Sequence, residues 1–255
     1  MATNQVSFNF DDATVLVTGG TSGIGYAIAT AFADAGADVT VTGTRADTAA
    51  YADDDVDLQR FTYVQADMRD AEALDALAAR FEVLDVLVNN AGTTYADGLD
   101  EWTVEGFAAS LDLNLKGAFQ LTTGLKSALA ASALAGGASV INIASMSAFR
   151  AVPIVPAYSA CKAALVATTR NMALAWMEDN IRVNAIAPGL IRSRMTSPME
   201  MEGLDEVLER ELARIPAGRM GTPQECAAAA LFLASAASSY TSGISLAVDG
   251  GYLAF

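Results

Sequence analysis

The sequence predicts an α/β protein whose mainly parallel sheet is covered by helices on both faces. Short apolar, β-branched runs recur along the chain and alternate with longer helical segments, and this alternation is typical of parallel sheets. The chain has 255 residues and contains neither an internal repeat nor a linker-like segment. We therefore expect a single domain over residues 1–255, with residues 1–11 as an N-terminal tail and a doubly wound sheet of seven strands.

In the first third of the chain, buried strands are expected where runs of β-branched residues end in turn residues. The run Thr14–Thr18 leads into glycines and then into an apolar helix that extends to Ala35. Residues 46–60 are short and acidic, which indicates a turn with a stub of helix. The remaining expected elements here are strands 38–42 and 61–66 and a helix over 70–81.

In the rest of the chain, the same alternation continues to the end. Residues 193–215 are rich in Met and Glu and are expected to form a mobile substrate loop. The expected strands are 84–88, 139–144, 181–187 and 244–248. The expected helical segments are a long one over about 104–130, one that contains Tyr158 and Lys162 after the loop 146–157, and one over 223–234.

Composition excludes several classes of function. Apolar residues make up 53% of the chain, yet no run is long enough to cross a bilayer, and the start is polar and acidic, unlike a signal peptide. We therefore expect a cytoplasmic protein. The absence of histidine removes Ser-His-Asp and Cys-His catalysis and the usual zinc sites, so we expect no metal.

Charge and cysteine content exclude further partners. The net charge of −15 repels nucleic acid and anionic membranes, so neither is expected as a partner. Salt adaptation and a biased genome composition explain the acidic surface equally well. Two cysteines, Cys161 and Cys226, do not make a disulfide framework.

The glycine turn after the first strand indicates a phosphate site. Gly19, Gly23 and Gly25 lie between a strand and a helix, where backbone N–H groups and a helix N-terminus receive a pyrophosphate. A β-carbon would hold the phosphate away from the backbone. The order of strand, turn and helix therefore predicts a dinucleotide site.

The end of the second strand indicates which dinucleotide binds. An acidic residue there would hold the free 2′-hydroxyl of NAD, but Gly43 occupies the position and Arg45 stands two residues further on. An arginine suits a 2′-phosphate. The sequence favours NADP(H) and leaves NAD(H) open, because Asp47 is close and the glycine turn contains no basic residue.

The spacing of Tyr158 and Lys162 indicates acid–base chemistry. Four residues apart, the two side chains share one helix face. An ammonium group beside a phenol favours the phenolate and lowers the pKa of the phenol. Such a tyrosine can exchange a proton with a substrate oxygen. The spacing occurs by chance in many helices, so its meaning depends on the surrounding motifs.

Taken in order, these motifs resemble the classical short-chain dehydrogenase/reductase family over about Asp12 to Tyr252. The motifs are Thr18-Gly19-x-x-x-Gly23-x-Gly25, Asp67, Asn89-Asn90-Ala91-Gly92, Asn114, Ser145, Tyr158-x-x-x-Lys162 and Pro188-Gly189. Ser145 precedes Tyr158 by thirteen residues, the usual separation in the family. The resemblance implies a Rossmann-type fold and an NAD(P)-dependent alcohol dehydrogenase or carbonyl reductase.

The resemblance also implies four catalytic residues. Tyr158 would be the general acid or base, with Lys162 lowering its pKa and holding the ribose of the nicotinamide. Ser145 would stabilise the substrate oxygen. Asn114 would hold a water in a proton relay from Lys162 to solvent. Hydride would pass between C4 of the nicotinamide and a ketone or secondary alcohol.

The remaining implied site residues fall into two sets. The cofactor-binding set is Gly19, Thr21, Ser22, Gly23, Ile24, Gly25, Thr44, Arg45, Asp67, Met68, Asn90, Ala91, Gly92, Tyr158, Lys162, Pro188, Gly189, Ile191 and Ser193. The expected substrate pocket is mostly apolar and contains Met146, Phe149, Val152, Ile154, Met195 and Met199. A side chain that stabilises a turn is the alternative role for Asn90 and Ser193.

Alternative functions stay open within this resemblance. A 3-oxoacyl-[acyl-carrier-protein] reductase ranks second, after an enzyme that acts on a small ketone or secondary alcohol. It is not ranked first because its acidic carrier needs basic residues that the expected docking turns lack. A polyol or sugar dehydrogenase comes third, and a non-catalytic dinucleotide-binding redox sensor or scaffold is the alternative outside enzymes. The partner is expected to be a small carbonyl or alcohol substrate. The family implies a homotetramer or homodimer.

Overall fold

Seven strands form the sheet in the computed structural model, which describes residues 6–52, 54, 56–197 and 205–254. Each strand lies within two residues of a position that the sequence predicts. The strands are β1 (Thr14–Val17), β2 (Asp38–Gly43), β3 (Thr62–Gln65), β4 (Val86–Asn89), β5 (Ala138–Ile143), β6 (Ile181–Pro188) and β7 (Ser245–Val248).

All seven strands run parallel in the order β3-β2-β1-β4-β5-β6-β7. The expected doubly wound α/β fold is confirmed. The order reverses between β1 and β4, and ligands of open α/β sheets bind at such a switch point, outside the carboxyl ends of the strands. The residues that follow β1, β4, β5 and β6 therefore meet at one edge.

Helices cover both faces of the sheet. Their bounds are α1 (Gly23–Asp34), α2 (Ala71–Ala78), α3 (Val104–Leu111), α4 (Gly117–Gly124), α5 (Lys126–Ala130), α6 (Pro156–Ala175), α7 (Asp205–Leu212) and α8 (Pro223–Ala234). Two apolar clusters lie between helices and sheet, because side chains of β1 alternate between faces. Val15 and Val17 belong to the cluster with Phe32 of α1, while Leu16 belongs to the cluster with Leu121 of α4. Full burial of each such side chain contributes about 1.5–3 kcal/mol.

Two segments differ from the prediction. The expected continuous helix over 104–130 is interrupted by a π-helical turn at Asp112–Lys116 and again between α4 and α5. Apolar residues recur through both interruptions, so the sequence pattern conceals them. The expected mobile loop 193–215 contains helix α7, and Met199 lies outside the described residues.

Candidate active site

The glycine turn between β1 and α1 has the geometry of a phosphate cradle. Gly19 and Gly23 have φ angles of 62° and 53°, where a side chain would strain the backbone. A β-carbon on Gly25 would lie 2.3 Å from Asn90 Nδ2, so this position also requires glycine. Ser22 makes no capping hydrogen bond through its side chain, and the first turn of α1 contains no acid. These residues fit the pyrophosphate of a dinucleotide.

Asn90 and Thr18 hold this turn in place. Asn90 Nδ2 donates to the carbonyl oxygens of Thr18 and Gly19, both at 3.0 Å. Thr18 Oγ1 accepts from the backbone N–H groups of Asn90 and Ala91, also at 3.0 Å. Asn90 therefore stabilises the turn through its side chain, as the alternative role allowed. Thr18 belongs to the glycine motif, but the sequence alone did not indicate that its hydroxyl joins β1 to β4.

The hydroxyl groups of Tyr51 and Tyr63 occupy the space that a side chain at position 43, at the end of β2, would need. A β-carbon on Gly43 would lie 2.3 Å from Tyr51 Oη and 3.1 Å from Tyr63 Oη. The aspartate that commonly holds the 2′-hydroxyl of NAD cannot be accommodated here without displacing these rings. Tyr51 Oη also accepts from the backbone N–H of Arg45 at 3.2 Å.

Arg45 lies at this end of the cleft and is already paired. Its guanidinium stacks on the Tyr51 ring, 4.4 Å from the centroid, and its Nη1 lies 3.2 Å from Asp54 Oδ2. Arg194, from the segment after β6, approaches the same Asp54 oxygen at 2.9 Å. One carboxylate thus bridges two arginines that come from opposite sides of the cleft.

Asp67 and Met68, two residues of the expected cofactor-binding set, follow β3. The Asp67 carboxylate binds Arg69 Nη2 at 2.7 Å, and hydrogen bonding to Arg69 lowers the pKa of Asp67 against the opposing effect of burial. Met68 is buried, and its carbonyl would lie 2.0 Å from a β-carbon on Gly117. The Asp67 side chain is therefore occupied by Arg69.

Tyr158 and Lys162 lie one turn apart near the start of α6, opposite Ser145 at the end of β5. Lys162 Nζ lies 5.3 Å from the centroid of the Tyr158 ring and donates to the carbonyl of Ile143 at 2.8 Å. Ser145 Oγ accepts from the backbone N–H of Ser147 at 3.1 Å. Strand β5 and helix α6 thus bring together the three residues that the sequence placed in one site.

Lys162 is buried and Tyr158 is half-buried, and the loss of contact with water shifts both pKa values. Burial raises the pKa of Tyr158 to about 12, against the lowering effect of its hydrogen bond with Ser145. Burial lowers the pKa of Lys162 to about 8. The sequence predicted a lowered pKa for the phenol. The structure differs because desolvation of Tyr158 dominates and the Lys162 ammonium is turned toward the Ile143 carbonyl.

Asn114 enters the site from the π-helical turn. Its Nδ2 donates to the carbonyls of Ser110 and Thr93, and its Oδ1 accepts from the Thr93 N–H, all at 3.0 Å. A β-carbon on Gly92 would lie 2.5 Å from Asn114 Oδ1 and 3.5 Å from Lys162 Nζ. Asn114 and Lys162 therefore converge on Gly92, in the arrangement that a relay between them requires.

The segment after β6 faces the glycine turn. The Cβ of Ser193 lies 3.5 Å from where a β-carbon on Gly23 would be, so the two sides of the cradle meet there. Ser193 N donates to Thr196 Oγ1 at 3.0 Å. Ile191 forms an isolated parallel bridge with Gly221, which fixes the start of the segment. Pro188 and Gly189 end β6 and lie at the same edge.

Several residues of the expected apolar pocket are exposed to solvent. Phe149, Ile154 and Met195 are exposed, Ile154 to 70%. Met146 and Val152 are partly buried, and Met199 lies outside the described residues. The guanidinium of Arg150 stacks over the Tyr252 ring, 4.3 Å from its centroid.

Hydrogen bonds join residues 95–102 to the loop before α6, close to Tyr158. The sequence did not indicate these contacts. Tyr95 Oη donates to the carbonyl of Ile154 at 2.7 Å, and Trp102 Nε1 donates to that of Pro153 at 3.0 Å. Glu101 is buried and accepts the backbone N–H of Tyr158 at 2.9 Å. In sequence Glu101 looks like one surface acid among many, since its partner is 57 residues away.

Within residues 6–52, 54, 56–197 and 205–254, no group of three or more Cys, Asp or Glu residues is arranged to hold a metal ion. No helix among the same residues combines the length and apolarity that a bilayer requires.

Comparison with known proteins places this arrangement in a family. A family model described as enoyl-(acyl carrier protein) reductase matches residues 19–253. The 2-dehydro-3-deoxy-D-gluconate 5-dehydrogenase of Bacillus subtilis is 38% identical, over 97% of both chains. The 3-oxoacyl-[acyl-carrier-protein] reductase of Chlamydia muridarum is 35% identical, over 92% of this chain and 95% of the relative.

A solved structure shows the same architecture with a dinucleotide bound. It comes from Beutenbergia cavernae, is assigned as an NAD(P)-dependent gluconate 5-dehydrogenase and holds NADP at low occupancy. It superposes with a TM-score of 0.84 at 37% identity, covering 98% of this chain and all of that one. This chain therefore belongs to the short-chain dehydrogenase/reductase family and is an NAD(P)-dependent oxidoreductase of the alcohol dehydrogenase type.

Proposed function

We propose that the enzyme interconverts a secondary hydroxyl and a ketone on a sugar acid or another small polyhydroxy compound. The convergence of Ser145, Tyr158 and Lys162 beside the glycine turn carries the proposal. The gluconate-type names of the Bacillus relative and the Beutenbergia structure support a polar substrate. The exposure of Phe149 and Ile154 agrees, because an enclosed apolar pocket would cover them.

Tyr158 is the proton donor in reduction. With its pKa raised to about 12 the phenol is protonated at neutral pH, so it can give its proton to a substrate carbonyl oxygen. Ser145 Oγ accepts from a backbone N–H, which leaves its own proton to donate to the same oxygen. When bound, the nicotinamide cofactor supplies or accepts the hydride.

Lys162 and Asn114 supply the proton path. One N–H of the Lys162 ammonium is used by the Ile143 carbonyl, and the others remain for Tyr158 and for ribose hydroxyls. Asn114 Oδ1, which converges with Nζ near Gly92, can hold a water between Lys162 and solvent. This role agrees with the burial of Asn114 and with the two hydrogen bonds that fix its amide nitrogen.

NADP(H) is the preferred cofactor in this proposal. The space at Gly43 is closed to a carboxylate, and Arg45 and Arg194 meet at the same end of the cleft. Two guanidinium groups suit a 2′-phosphate. NAD(H) binding stays open, because Asp54 opposes the 2′-phosphate through like charge.

Reduction of a carrier-bound 3-oxoacyl group is the second candidate. The Chlamydia relative favours it. The net charge of −15 works against docking of an acidic carrier. Acetoacetyl-acyl carrier protein therefore belongs among the test substrates.

We also propose that the chain acts as one catalytic domain in a cytoplasmic homotetramer or homodimer, with residues 193–215 as the substrate loop. Val104 and Leu174 are more than 80% exposed on α3 and α6, where a second copy would cover them. The two free, buried cysteines agree with a reducing compartment. Light scattering after size exclusion measures the assembly, and cell fractionation measures the location.

A kinetic screen tests the activity. NADPH or NADH oxidation, followed at about 340 nm, is measured with 5-dehydro-D-gluconate, dihydroxyacetone, 2,3-butanedione and acetoacetyl-acyl carrier protein. Tyr158→Phe should lower kcat/KM by about 10²–10⁴-fold, with NADPH affinity within about twofold of wild type by fluorescence titration. The fully exposed Tyr240→Phe serves as the matched control. Turnover of the diketone or carrier substrate alone would refute the polyhydroxy class, and full activity of Tyr158→Phe would refute its role.

A further inference from the structure

A buried carboxylate lies behind the acid–base tyrosine. Glu101 is 2% exposed, and each of its oxygens accepts one backbone N–H. Oε2 accepts from Tyr158 and Oε1 from Tyr95, both at 2.9 Å. Such donors stabilise a carboxylate that is shielded from water. The carboxylate in turn restrains the backbone of Tyr95 and Tyr158, which donate to it.

The start of α6 needs this acceptor. The first N–H groups of a helix have no partner within the helix, and an N-cap side chain usually supplies one. Here the N-cap residue is Val155, which has no acceptor, and Pro156 follows it. The N–H of Tyr158 lies in this first turn, so Glu101 takes the place of the cap from a segment 57 residues away. Its negative charge also suits the positive end of the helix dipole.

The other oxygen of Glu101 binds the segment that contains Tyr95. Tyr95 has a left-handed backbone, with φ of 48°, and its N–H points to Glu101 Oε1. Its hydroxyl reaches across to the carbonyl of Ile154 at 2.7 Å. One carboxylate therefore joins the segment 93–96 to the first turn of the helix that carries Tyr158.

We propose that Glu101 is a positioning residue for the reaction. By accepting the backbone N–H groups of Tyr158 and Tyr95, it fixes the first turn of α6 relative to the segment 93–96. The inference rests on the proposed role of Tyr158. A side chain that only stabilised the fold would leave the pH dependence of catalysis unchanged. Glu101 affects that dependence as well, since its charge contributes to the raised pKa of Tyr158. Among the described residues, Lys162 and Cys161, both on α6, also carry titratable groups near the phenol.

Glu101→Gln tests the proposal with little change of shape. The amide offers one acceptor and places its NH₂ against the second N–H donor, so one of the two contacts is lost. We expect kcat for the compound that wild type reduces fastest in the screen to fall at least tenfold, while NADPH affinity stays within about twofold. The alkaline limb of the pH–kcat profile should move to lower pH, because the negative charge beside the phenol is gone. Glu105→Gln, an exposed acid on α3, is the matched control.

Amide hydrogen exchange provides a readout without turnover. Peptides that contain the Tyr95 and Tyr158 amides should exchange faster in Glu101→Gln than in wild type and in the control variant. If wild type reduces none of the compounds, the proposed function fails, while exchange still decides whether Glu101 holds both segments. Unchanged exchange, or an unchanged kcat and pH profile in the folded variant, would overturn the proposal. Should Glu101→Gln not fold, Glu101→Asp keeps the charge but shortens the reach. A tenfold lower kcat with the wild-type pH profile supports positioning, and full activity refutes it.

Discussion

Arg182→Lys should destabilise the protein strongly although the charge is kept. Arg182 lies on β6, is buried, and donates from three nitrogens to the end of α8 and the turn before β5. Its acceptors are the carbonyls of Gly136 (2.8 Å), Leu233 (2.7 Å), Ala234 (3.2 Å) and Ser238 (3.2 Å) and the Ser238 hydroxyl (2.9 Å). The positive charge thus lies at the C-terminal end of a helix, where the dipole favours it.

The magnitude follows from the number of acceptors. A lysine has one nitrogen with three protons, so it cannot satisfy groups that the guanidinium reaches from three separate nitrogens. At least two buried acceptors lose their donor, at about 1–3 kcal/mol each. We therefore expect a loss of about 2–6 kcal/mol, or a Tm lower by roughly 4–24 °C.

Urea denaturation and calorimetry measure this loss. Arg170→Lys, an exposed arginine on α6, is the control and should stay within about 0.5 kcal/mol of wild type. A fall of similar size in both variants would point to a general preference for arginine. If Arg182→Lys were as stable as wild type, the hydrogen bonds from the Arg182 guanidinium to the end of α8 would not stabilise the fold, and the reasoning would be refuted.

Two further predictions concern carboxylates that bind arginines. Glu225→Gln should cost about 1 kcal/mol at pH 7, since it weakens the capping box of α8 and the contact with Arg219. Hydrogen bonding to Arg219 lowers the pKa of Glu225 to about 2 from its ordinary 4.5, so the difference from wild type should be complete above pH 4.5 and vanish as pH falls toward 2. Asp54→Asn should strengthen binding of 2′,5′-ADP about three- to tenfold, as measured by calorimetric titration. The neutral amide would neither hold Arg45 and Arg194 in ion pairs nor repel the 2′-phosphate.

Each of these has an outcome that contradicts it. A stability difference between Glu225→Gln and wild type that is constant from pH 7 to pH 3 would show that the Glu225 charge is not involved. For Asp54→Asn, 5′-AMP is the control ligand and the exposed Asp38→Asn the control variant. An equal gain for 5′-AMP would mean that the effect does not come from the 2′-phosphate.

The fold could be predicted because the sheet is buried on both faces. Parallel strands under helices require apolar runs with little alternation, and β1 and β4 have them. The proximity of Tyr158 and Lys162 could be predicted for a local reason, since a spacing of four places both side chains on one face of α6. In both cases the information lies within a few consecutive residues.

The features that could not be predicted depend on contacts between distant segments. The pKa of Tyr158 is set by burial and by Ser145 and Glu101, none of which the spacing to Lys162 reports. The partners of Arg45 are likewise invisible in the pattern, because Asp54 and Arg194 meet it only after the chain has folded. Exposure of Ile154 depends on which way a loop turns, and its apolar character does not determine that direction.

The π-helical turn at Asp112–Lys116 shifts the phase of the helix in which it lies. Leu111 and Ala118 are seven residues apart, so a regular α-helix would place both on one stripe, yet Leu111 is exposed and Ala118 is buried. One extra residue in a turn rotates the later part of a helix by about 100°. Deleting one residue from the turn would leave a regular helix with Asn114 rotated out of the site.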